Sequence, residues 1–65
     1  MIQVTRLDGM EYYINPYQIE RIEVKPDTML VMLSGKYYIV REEVDDVLGK
    51  IEAYHRRVNP PVIQE

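Results

Sequence analysis

The chain contains no cysteine and only one histidine, His55. It can form no disulfide, and a metal site built from histidine and cysteine is excluded. Long apolar runs are also missing. None approaches the roughly 20 residues that span a bilayer, so no membrane insertion is expected. The opening Met1-Ile2-Gln3-Val4-Thr5-Arg6 has no basic region followed by an apolar stretch and a cleavage site. That pattern gives no sign of a secretory signal, and the expected location is cytoplasmic. Basic charge is scarce: eight Lys and Arg face eleven Asp and Glu, a formal net charge of -3. A nucleic-acid binder usually carries a basic domain or stripe, so the balance disfavours that class. No glycine-rich phosphate loop of the Walker or dinucleotide type occurs, and no cofactor is expected. Nothing in the sequence sets the one serine, Ser34, beside His55, as a nucleophile and its base require. The expectation is a protein without enzymatic activity.

What is present is globular: 46% hydrophobic and 29% charged residues in 65 positions. One domain fits, and a chain this small buries only about 60% of its unfolded surface. Scaffolds of this size often gain stability by oligomerising. Residues 1–6 alternate, with Ile2 and Val4 on one side, which predicts a half-buried strand. Asp8-Gly9 is a hairpin turn signal. Residues 11–14 return as a strand and Asn15-Pro16 stops it. A short turn or a helical turn is expected at 16–19, then a strand over about 20–25 with Ile22 and Val24 inward. Pro26-Asp27-Thr28 turns the chain. Met29 to Leu33 and Tyr37 to Val40 are apolar throughout, around a Ser34-Gly35-Lys36 turn, which suggests a sheet covered on both faces. From Glu42 the period becomes helical through Val44, Val47, Leu48, Ile51, Tyr54, His55 and Val58, and the Val44, Val47, Leu48 and Ile51 stripe is the expected helix contribution to the core. Gly49 costs about 1 kcal/mol there relative to Ala. The predicted fold is α+β: a small twisted antiparallel sheet of about five strands, or a partial barrel, with one C-terminal helix. The domain spans 1–58, with Asn59-Pro60-Pro61 ending the helix and 59–65 as a tail.

The acidic group Glu42, Glu43, Asp45 and Asp46 is read as the complement of the helix dipole rather than a cation site, and Lys50, Arg56 and Arg57 as its C-terminal counterpart. The tyrosines are more informative. Tyr12-Tyr13 and Tyr37-Tyr38 are adjacent pairs on strands, so each pair places one ring in the core and one on the other face. They serve either as cross-strand packing or as interface rings, which need one dry and one wet end. One helix covers one face of the sheet. The second face therefore predicts a homo-oligomer built on Leu30, Met32, Tyr38 and Val40 or their opposite-parity neighbours, with Tyr12, Tyr13 and Tyr37 as further candidates.

Several of these residues also carry a resemblance. Met1-Ile2-x-Val4-Thr5-Arg6-Leu7-x-Gly9, Tyr13-x-Asn15, Ile19-Glu20, Pro26-Asp27-Thr28 and Leu33-x-Gly35-Lys36-x-Tyr38-x-Val40 occur in this order, followed by the helix through Val47 and Ile51. Over about residues 1–58 the chain resembles the FlbD/SwrD family of small flagellar proteins. The resemblance implies a non-enzymatic accessory role in bacterial flagellar motility and swarming. It also implies binding to a motor or basal-body protein and a place peripheral to the basal body. A second, partial resemblance is to the carbon storage regulator, an RNA-binding translational repressor. It rests on the opening strand and on Arg41-Glu42-Glu43-Val44, and it would make Arg6 and Arg41 RNA contacts.

Overall fold

The structure, a computed structural model, describes residues 1–58. The elements are β1 (Ile2–Thr5), β2 (Glu11–Ile14), a 3-10 turn (Pro16–Gln18), β3 (Ile19–Val24), β4 (Thr28–Met32), β5 (Tyr37–Val40) and α1 (Val44–Val58). Local chemistry explains each junction. At the first turn the Arg6 N–H donates to Met10 O at 2.8 Å, the Gly9 N–H to Arg6 O at 2.9 Å, and Asp8 Oδ1 accepts from the Met10 N–H at 3.0 Å. Gly9 sits at φ +96, where a side chain is strained. Asn15 Oδ1 accepts from the Tyr17 N–H at 3.0 Å and starts the 3-10 turn at Pro16.

β1 and β2 pair antiparallel, with Ile2 opposite Ile14 and Val4 opposite Tyr12. β3, β4 and β5 form a second antiparallel sheet in that order. One bridge, Arg6 to Val40, and a 2.7 Å hydrogen bond from the Arg41 N–H to Thr5 O carry the pairing from β1 to β5. Among the described residues the strands do not close into a barrel. The core gathers where the two sheets and the helix meet: Ile2, Val4, Ile14, Leu30, Val40 and Val47 are buried. Tyr12, Ile19, Ile22, Met32, Tyr38, Ile51 and Tyr54 pack around them.

Two core assignments from the sequence need correction. Leu48 is 45% exposed, although the helical period placed it with Val47. The covered stripe is narrower, through Val44, Val47, Ile51 and Tyr54, because α1 packs chiefly along β1 and leaves the Leu48 side to solvent. Val24 is 52% exposed. It keeps the inward parity of Ile22 and faces Thr28 across the ladder, yet it lies at the strand end beside the start of α1, where the layers part. The predicted helix stop at Asn59-Pro60-Pro61 and the 59–65 tail lie outside the described residues.

Candidate functional site

The acidic start of the helix divides into two parts. Asp45 and Asp46 occupy the first turn of α1, and His55, Arg56 and Arg57 the last, as the dipole favours. Glu42 departs from that reading. It precedes the helix and turns inward, where Oε1 accepts from the Thr5 N–H at 2.9 Å. Burial alone pushes the Glu42 carboxyl up. The Thr5 hydrogen bonds, its own backbone N–H and the charge of Lys50 outweigh that and hold it below its ordinary value. Lys50 Nζ stands 3.9 Å from Glu42 and donates to Gln3 O at 2.5 Å. Glu42 and Lys50, with Thr5 and Gln3 of β1, clamp the helix start to that strand.

Arg6 and Arg41 come together at the junction of β1 and β5. Arg41 donates to Leu7 O through Nη2 at 2.9 Å and Nε at 3.2 Å, bracing the first hairpin turn. Arg6 donates to the Tyr12 hydroxyl at 2.8 Å and pairs with Asp8 at 3.0 Å. The Tyr12 bond first, then the Asp8 charge, raises the Arg6 guanidinium above its usual value. Both guanidiniums thus hold the chain's own groups.

The tyrosine pairs divide as the strand period requires. Tyr12 and Tyr38 are half-buried, their ring centroids 5.6 Å apart across the two sheets. Tyr13 is 69% and Tyr37 62% exposed. The parity left open in β4 and β5 is set: Leu30 and Val40 lie in the core, with Met32 and Tyr38 packed on it. Their burial is supplied within the chain. The opposite face carries two cross-strand rows, Arg21–Val31–Tyr37 and Glu23–Met29–Ile39. Ser34 accepts from the Lys36 N–H at 3.4 Å, and His55 Nδ1 meets the Tyr17 hydroxyl at 3.2 Å, so each is engaged in its own local contact.

Sequence reading missed a groove of about 510 Å³ where α1 begins. Leu7, Val24, Pro26, Val40 and Val44 supply its apolar walls, Asp27, Glu42, Glu43 and Asp45 are the carboxylates around them, and Arg41 is the cation among the lining residues. Leu7 is 48% exposed. Its place inside a turn, where polar residues are usual, is the one signal the sequence held. Among the described residues, no three His, Asp or Glu side chains are grouped to hold a metal, and no helix is long and apolar enough to cross a membrane.

A family model described as FlbD, flagellar and swarming motility proteins, matches residues 1–59. No curated protein and no solved structure matches the chain.

Proposed function

The chain belongs to the FlbD family of flagellar and swarming motility proteins, and from that premise we propose that it serves motility by binding, without catalysis. The partner is a protein of the flagellar motor or basal body, met from the cytoplasmic side. The groove at the start of α1 carries this reading. Leu7 and Val24 are among the large apolar side chains left open to water, and both face this one groove. Asp27 before β4 and Glu43 and Asp45 at the helix start surround them, while Arg41 and Glu42, which also line the groove, are turned to Leu7 O and the Thr5 N–H. An apolar floor with an acidic rim suits a segment that presents an apolar anchor flanked by Lys or Arg.

The test is swarming of cells whose own copy is replaced by Leu7→Glu or Val24→Glu. Both side chains are exposed, so the variants are expected to fold, which circular dichroism checks. The expected result is lost or slowed swarming with normal protein levels. Wild-type swarming by both folded variants would remove the groove from the function.

A further inference from the structure

We propose that the outer face of β3–β4–β5 is the contact surface of a two-fold dimer of this chain. This face is separate from the groove at the start of α1, with Leu7 bordering both the groove and the cleft beside β5. The face consists of the two rows named above. Arg21, Val31 and Tyr37 form one; Glu23, Met29 and Ile39 form the other. Val31 is buried and Met29 half-buried, while Tyr37 and Ile39 stay exposed. The first hairpin turn, through Arg6, Leu7 and Asp8, borders these two without burying them. The helix packs on the other side, against β1.

The register says which occupant fits. Two copies stacked face to face about a two-fold axis have two simple choices. An axis along the strands lays β3 over β5, and the Glu23 carboxylate then meets Ile39, at a desolvation cost. An axis across the strands, between the rows, lays each strand over its own copy and exchanges the rows. Arg21 then meets Glu23 of the second copy and Tyr37 meets Ile39, while Met29 lies over Val31, which its own chain already buries. Every contact is complementary, and each is made twice, as an isologous interface demands. The intrachain pairing of Arg21 with Glu23 at 2.8 Å shows the two side chains to be of matching reach. Aligned sheets pack about 10 Å apart with a rotation of about 30°, which this arrangement accommodates. Beside β5, a cleft of about 420 Å³ bounded by Leu7, Tyr37 and Ile39 leaves room for the second copy's Tyr37 ring.

The face is small, about 10–15 Å by 17 Å from strand spacing and rise. A stable interface buries about 800 Å² on each partner, so this dimer is a weak one that forms only at high protein concentration. The charged edge of β3, with Arg21 paired to both Glu20 and Glu23, opposes strand addition there and favours stacking by the face.

Sedimentation equilibrium from about 10 to 500 µM tests the proposal. The expected mass rises from monomer to dimer with concentration. Ile39→Glu is expected to hold the chain monomeric with its circular dichroism unchanged. Arg21→Glu and Glu23→Arg each bring like charges together at both rim contacts and are expected to weaken the dimer about tenfold. An equimolar mixture of those two variants restores opposite charges at both contacts and is expected to dimerise better than either alone. A monomer mass throughout would overturn the proposal. So would a dimer indifferent to Ile39→Glu, or a mixture no tighter than its components, which would place the contact elsewhere or turn the axis.

Discussion

The Glu42 carboxylate accepts a hydrogen bond from the Thr5 N–H at 2.9 Å, across 37 positions of sequence. The bond falls where β1 runs into the first hairpin turn and the chain approaches α1. With Lys50 reaching both Glu42 and Gln3 O, it fastens the one helix to the first strand.

This carboxylate makes stability depend on pH. Its native value lies below the ordinary 4.5, so the charged form is favoured by folding. The contribution is complete above about pH 4.5 and is lost as pH falls through the depressed native value. Urea melts of wild type and Glu42→Gln are expected to differ at pH 7 and to converge toward pH 3. Glu42→Ala leaves the Thr5 N–H without its partner and is expected to cost about 1–3 kcal/mol at pH 7. A constant gap between wild type and Glu42→Gln across that range would refute the account.

Leu30 and Leu48 separate core from surface. Leu30 is fully buried between the sheets and helix, and Leu30→Ala is expected to cost about 2–5 kcal/mol. A 65-residue domain holds only about 3–10 kcal/mol in all, so this variant is expected to be largely unfolded at 37 °C. Leu48→Ala is expected to stay within about 0.5 kcal/mol of wild type. Thermal melts of the pair check both values, and a large loss at Leu48 would show that its face is covered.

Two glycines are expected to respond with opposite signs. Gly35 turns β4 into β5 at φ +93, and an added Cβ there meets nothing within 4 Å. The penalty of Gly35→Ala is therefore backbone strain alone, about 1–2 kcal/mol. Gly49 also faces open space, but within the helix. Gly49→Ala is expected to stabilise by about 0.8–1.0 kcal/mol. Chemical denaturation midpoints moving the same way in both variants would contradict this.

Most of the fold was legible because its signals are local. Alternation in Ile2 to Thr5, Asp8-Gly9, Asn15-Pro16 and the change of period after Glu42 each act within a few residues, and each appears where the sequence placed it. Parity in Met29–Met32 was not legible, since a run apolar at every position carries no period. Leu48 and Val24 failed for another reason. A pattern gives the direction of a side chain, but whether something covers it depends on how far a neighbouring element extends. Glu42 was hidden by its company: among four acids at a helix start, only the approach of β1 distinguishes the one that turns inward. The groove joins the first turn, the β3–β4 turn and the helix start, and no spacing in the chain encodes that meeting.

Arg41 provides the last test. Its guanidinium makes two hydrogen bonds to a single carbonyl, Leu7 O, and its own N–H donates to Thr5 O. The side chain thus holds the turn that carries Leu7 into the groove, and the Arg6 guanidinium beside it is occupied by Tyr12 and Asp8. Arg41→Ala is expected to lower the melting temperature by up to about 4–8 °C, the shift that about 1 kcal/mol produces in a domain this small. Arg41→Lys is expected to recover only part of that, because a single ammonium cannot reproduce the two-pronged contact. The same residue offers the discriminating measurement for nucleic acid. If Arg6 and Arg41 were phosphate contacts, a structured RNA would bind with an affinity that falls steeply with salt and drops in Arg41→Ala. With both guanidiniums tied to the chain and a net charge of -3, gel-shift titration at physiological salt is expected to show no specific complex. A salt-dependent complex lost in Arg41→Ala, with the melting temperature unchanged, would reassign both arginines from bracing the hairpin to reading RNA.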